Sequence, residues 1–152
     1  NVTLAMREPL GVIGIVAPEE AGFIGLISTV MPALAMGNRV VVVPSLRYAL
    51  LATDFYQVLE TSDLPAGALN IVTGNQDELL PHLAGHYGLE GQWYWGSAAG
   101  SRIVEAAAAP TMKRTWVSNG RFHDWFDEQQ GASEEFLRRA VEIKNIWIPY
   151  GE

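Results

Sequence analysis

REPLGVIGIVAPEEAGFIGLISTVMPALAMGNRVVVVPS, residues 7–45, is the stretch whose reading decides the fold. It opens with a short apolar run at residues 12–16 and closes with another at residues 40–43. Between them, residues 23–36 are apolar at most positions and carry no charge. Short continuous apolar runs suit strands buried on both faces, as in a parallel sheet covered by helices. A strand, a crossover of helix length and a second strand make a βαβ unit, the opening of a Rossmann-like domain.

The same alternation continues outward. Residues 1–7 read as an entry segment or edge strand, and residues 11–17 as a first core strand ended by Pro18. Pro32 lies past the middle of the helix at residues 23–36, where a missing N–H is expected to kink or split it. Gly37-Asn38 is a helix stop before a strand at residues 39–43. Residues 49–60 form an amphipathic helix with Leu51, Phe55, Val58 and Leu59 on one face. Strands at residues 69–72, 92–95 and 113–117 then alternate with helices at residues 77–86 and 98–108. That spacing predicts an α/β fold with a doubly wound, mostly parallel sheet. Residues 121–132 form a connector. Ser133-Glu134-Glu135 starts a helix with a hydroxyl cap and carboxylates in its first turn, running to residue 140 or 141. Residues 142–152 read as a final strand. The organisation is thus residues 1–120 as the main unit, 121–132 as connector, and 133–152 as helix plus strand.

With 49% hydrophobic and 18% charged residues among 152, the chain suits one globular domain rather than a disordered one. The net charge of −7 and the lack of a basic block argue against nucleic acid or an anionic membrane as partner. There is no cysteine, so these residues supply no disulfide, thiolate metal site or cysteine nucleophile. No signal peptide pattern starts at Asn1, and residues 23–36 fall short of the roughly 18 apolar residues of a membrane span. A cytoplasmic location is the expectation. The chain enters almost directly into a core strand without an initial methionine, which reads as a segment of a longer polypeptide.

REPLGVIG, the Pro18 turn, and PALAMGN followed by a valine strand and Pro44 resemble the cofactor domain of the aldehyde dehydrogenase superfamily. The resemblance runs from about residue 7 to residue 120. It implies a cysteine nucleophile, an oxyanion amide, a glutamate base and groups that hold NAD. Carried over by position, the family's Pro-Trp-Asn turn falls on Pro18-Glu19-Glu20, placing Glu20 where the oxyanion asparagine belongs. The ribose-binding lysine and glutamate fall on Val43 and Leu46. The Phe-Thr-Gly-Ser turn falls on Tyr94-Trp95-Gly96-Ser97, with Trp95 in place of a threonine. The Glu-Leu-Gly-Gly-Lys base motif falls on Val117-Ser118-Asn119-Gly120-Arg121, leaving Val117 at the base position. Gly96 and Ser97 stay as a vestigial anion turn at a helix start.

EIKNIWIP resembles the strand of the superfamily's oligomerisation arm, with Ile146, Trp147 and Ile148 as its pairing residues. A cofactor domain joined directly to this arm looks like the truncated second unit of aldehyde dehydrogenase family 16. The resemblance then implies a pseudoenzyme that docks on another aldehyde dehydrogenase unit of the same chain and on a second subunit, as a homodimer. No cofactor is expected for the segment, and NAD for the parent enzyme. Two alternatives stay open: a domain that senses NAD through Gly96 and Ser97, and part of an active NAD-dependent enzyme whose catalytic residues lie elsewhere.

Other residues have plainer readings. His82 and His86 lie one helical turn apart, but their spacing suggests no third ligand and no metal site is expected. His123 with Asp124 and Asp127 suits a docking loop better than an acid–base dyad. Trp93-Tyr94-Trp95 reads as strand core with one outward ring rather than a stacking platform.

Overall fold

The computed structural model describes residues 2–149; Asn1 and the expected end of the tail at residues 150–152 lie outside the described residues. The strands are β1 (Val2–Pro9), β2 (Val12–Val16), β3 (Arg39–Val43), β4 (Leu69–Ile71), β5 (Gly91–Tyr94), β6 (Arg114–Val117) and β7 (Val141–Ile148). The helices are α1 (Gly22–Ala35), α2 (Ala49–Glu60), α3 (Gln76–Gly85), α4 (Ala98–Ala108), α5 (Glu128–Gly131) and α6 (Glu135–Arg139).

Five strands form one parallel sheet in the order β4-β3-β2-β5-β6. Successive residues of each strand face opposite layers, and both layers are covered. Ile13 and Ile15 of β2, Val40 and Val42 of β3, and Trp93 of β5 join α1 in one core. Val16, Val43 and Tyr94 point the other way, among Leu80 and Ala84 of α3 and Val104 of α4. Burial on both sides is why these strands read as unbroken apolar runs. The doubly wound α/β architecture expected from the sequence is the one observed.

α1 runs unbroken across Pro32, so the proline does not split it. The proline forfeits one backbone bond, while Leu26, Val30 and Ala33 on either side are buried and anchor both halves in the core. The buried side of α2 also differs from expectation. Ala52, Phe55 and Leu59 face the core, and Leu51 and Val58 are exposed. Ser133 does not cap α6; Glu134 holds the cap position, and the Ser133 hydroxyl accepts the Glu135 amide at 3.2 Å. The helix ends at Arg139 and β7 starts at Val141, one residue before the expected strand.

The tail strand finds its partner in the chain itself. β7 pairs antiparallel with β1 over the whole register from Val2↔Ile148 to Pro9↔Val141. The buried Asn38 side chain ties this ribbon to the sheet. Its amide donates to the carbonyls of Ala33 (2.9 Å) and Ala140 (2.8 Å), and its oxygen accepts the Gly11 amide (3.0 Å).

Candidate functional site

The chain runs from β2 out to β4 on one side and returns to build β5 and β6 on the other, so the topology switches between β2 and β5. Ligands of open α/β sheets bind in the crevice beyond the strand ends at such a point. A cavity of about 530 Å³ lies there, lined by the Pro18-Glu19-Glu20 turn, Gln76 and Asp77, residues 94–97, Ser118, and residues 120–123 with Trp125.

Of the residues singled out from sequence, Glu20, Trp95, Gly96 and Ser97 meet in this cavity. Val43 does not; it is buried between Val16 and the α3 helix. Leu46 is half exposed and outside the lining. Val117 lines a smaller adjoining cavity of about 290 Å³ with Trp95, Ser118, His123 and Phe136.

Two residues that sequence reasoning passed over shape the crevice. Glu19 turns its carboxylate to the turn between β3 and α2, accepting the Ser45 hydroxyl at 2.7 Å and the Leu46 amide at 2.9 Å. Gln76 bridges the ends of β2 and β3, donating to the carbonyls of Ala17 (2.8 Å) and Pro44 (3.1 Å). The doubled acid of Pro18-Glu19-Glu20 was the signal available for the first, while nothing in the sequence marked the second.

At the start of α4, the Ser97 hydroxyl caps the helix by accepting the Gly100 amide at 3.0 Å. The Gly96 amide goes to the Ser118 hydroxyl (3.1 Å) and the Ser97 amide to the Tyr94 hydroxyl (3.1 Å). Trp93, Tyr94 and Trp95 are all buried, in place of the expected outward ring. Trp95 stands edge-on to Trp116 (centroids 4.9 Å) and Trp125 (5.0 Å), with His123 at 5.0 Å and Phe136 at 5.7 Å. Burial lowers the pKa of His123, outweighing the Gln130 backbone and the carboxylates of Asp124 and Asp127. Those carboxylates accept the amides of Phe126 and Gln129, each at 3.0 Å. His123 is therefore part of an aromatic cluster rather than the head of a dyad.

His82 lies in α3 and His86 caps it, with His86 Nδ1 accepting the Gly88 amide at 3.0 Å. Of the tail residues, Ile146 is partly buried, and Trp147 and Ile148 are exposed on the β1–β7 ribbon. Among the described residues, no helix is long and apolar enough to cross a membrane.

Dinucleotide binding can be tested against this geometry. Ribose hydroxyls need polar partners, which Val43 and Leu46 do not provide. A pyrophosphate needs free amides and positive potential; Glu19, Glu20 and Asp77 line the cavity against a single guanidinium, Arg121, and two amides of the turn are already bonded.

The model of the aldehyde dehydrogenase family matches residues 1–120. The NADP/NAD-dependent aldehyde dehydrogenase PuuC of Escherichia coli is 32% identical over 140 residues, covering 88% of this chain and 28% of that protein. Aldehyde dehydrogenase C of Pseudomonas syringae, solved with NAD+ and octanal, superposes with a TM-score of 0.72 at 34% identity over 76% of this chain and 24% of that one. Indole-3-acetaldehyde dehydrogenase in its apo form gives a TM-score of 0.74 at 30% identity, over 80% of this chain and 29% of that one. The chain spans between 24% and 29% of the length of the curated relative and of these structures.

Proposed function

This chain belongs to the aldehyde dehydrogenase family over residues 1–120, and we propose that it is part of an NAD(P)-dependent aldehyde dehydrogenase whose reacting cysteine lies outside these residues. The relatives named above support that reading. They are dehydrogenases several times longer than this chain, and these residues contain no cysteine to form a thiohemiacetal. Within the larger enzyme we infer a scaffold role: the unit docks on another aldehyde dehydrogenase unit and on a second subunit, and does not itself hold the dinucleotide. Its parts are the degenerate cofactor domain at residues 1–120, a connector at 121–132, and the helix and arm strand from 133 to 152. This is the layout of the truncated second unit of family 16.

The observation that carries the scaffold role is the setting of Trp95. Its indole is 7% exposed and packs against Trp125 of the connector and Phe136 of α6. The residues that stand where the family's catalytic domain would begin are thus folded back as core of this same unit. Such a unit closes on itself and leaves its apolar ribbon outside. Leu4 and Met6 of β1, with Ile143, Trp147 and Ile148 of β7, are exposed large side chains on that ribbon. Exposed ribbons of this kind pair with a partner.

The test is the size of the assembly by light scattering. Trp147→Glu combined with Ile148→Lys is expected to shift the chain toward monomer by about a hundredfold in dissociation constant, since two apolar contacts buried in an assembly are each worth about 1.5 kcal/mol. An unchanged size distribution, with the fold intact by circular dichroism, would remove the ribbon from the assembly.

A further inference from the structure

We infer that the Tyr94 hydroxyl is the chain's own occupant of the amide turn before α4, and that this one oxygen sets the turn against phosphate-bearing ligands. The inference rests on the scaffold reading and names the atom that separates this crevice from a dinucleotide site. Where the family pattern has phenylalanine, this chain has tyrosine, and the added oxygen lands on the Ser97 amide at 3.1 Å and beside the Ser97 hydroxyl at 3.4 Å. The two glycines make room for it: a Cβ on either Gly96 or Gly100 would run into the Tyr94 hydroxyl.

The hydroxyl cannot swing aside to admit a ligand. Tyr94 is 4% exposed, and its ring is packed with Val16, Val43, Leu80, Ala84 and Val104. Displacing it means breaking the amide bond and disturbing that core together. The neighbouring amide is answered in the same way, because the Ser118 hydroxyl accepts from the Gly96 amide at 3.1 Å and donates to the Gly96 carbonyl at 2.9 Å. A neutral hydroxyl satisfies an amide that a phosphate oxygen would otherwise take, and it brings no charge that requires a counterion.

The experiment is titration of the chain and of its Tyr94→Phe variant with inorganic pyrophosphate, followed through the backbone amide signals in NMR spectra. The variant loses one oxygen and keeps the ring. Its Ser97 amide should shift in a saturable way, with pyrophosphate bound about tenfold or more tightly than by the unmodified chain, the effect of one regained charge-assisted hydrogen bond. The ratio is the readout, because Glu20 and Asp77 repel the ligand equally in both proteins. Equal affinities, or a Ser97 signal that stays put, would overturn the inference. Amide hydrogen exchange in the unmodified chain gives a second decision independent of the variant. Slow exchange at Ser97 agrees with the bond, and exchange as fast as a solvent-facing amide overturns it. If the unmodified chain binds NAD tightly, the scaffold reading fails, while the pyrophosphate ratio still judges Tyr94.

Discussion

Truncating Phe136 to alanine costs the folded chain about 3–5 kcal/mol in denaturant unfolding, a large share of what a domain of this size has to lose. The ring is 1% exposed and stands at the centre of the aromatic cluster. Its centroid lies 5.0 Å from Trp116, 5.7 Å from Trp95, 6.1 Å from Trp125 and 6.2 Å from Trp93. Those neighbours are large and flat, and they come from β5, β6 and the connector. They cannot close over the hole as flexible aliphatic chains would, so the loss carries a cavity cost beyond the transfer of the ring. Phe126, 80% exposed in the same connector, is the control. Its alanine variant should stay within about 0.5 kcal/mol of the parent. If Phe136→Ala costs less than about 1 kcal/mol, α6 is not part of this core, and the setting of Trp95 no longer carries the scaffold role.

Asn38→Ala should cost about 3 kcal/mol in the same measurement, although the residue touches neither cavity. Its side chain is 3% exposed and makes three bonds at once, to the Gly11 amide and to the carbonyls of Ala33 and Ala140. Removing it leaves the Gly11 amide of the β1–β2 link without its partner and takes one of two donors from the carbonyls of Ala33 and Ala140, which keep only the backbone amides of Asn38 and Leu10. Asn38→Asp is the sharper variant. It keeps an acceptor for Gly11 and sets a carboxylate against two carbonyls, so it should destabilise at least as much. A loss below about 1 kcal/mol for both variants would mean that the ribbon is held to the sheet by other contacts.

Gly37-Asn38 shows what the sequence could and could not convey. As a helix stop it was legible, because glycine accepts the left-handed backbone found there (φ 88°). That the asparagine reaches across 102 positions to Ala140 was not, since such a bond belongs to the tertiary fold. The strands of the sheet were readable for a similar local reason: burial on both faces makes a run of valines and isoleucines conspicuous. The short α5 helix was missed because four residues show no period. β7 was visible as a strand, but its partner β1 lies at the far end of the chain, and register cannot be read from one strand alone.

The site divides in the same way. Glu20, Trp95, Gly96 and Ser97 were placed by resemblance and do meet in the crevice. Val43 and Leu46 lie outside it, one buried in the core and the other exposed to solvent. The roles of Glu19 and Tyr94 depend on where a carboxylate and a phenol reach in space, and a string of letters does not show that.

The measurement that bears most directly on the scaffold reading is calorimetric titration of this chain with NAD. We expect no saturable heat up to about 1 mM ligand, the range in which a dissociation constant corresponds to little more than about 4 kcal/mol of binding. A micromolar dissociation constant would contradict it and would make the Trp95-walled crevice a working dinucleotide site.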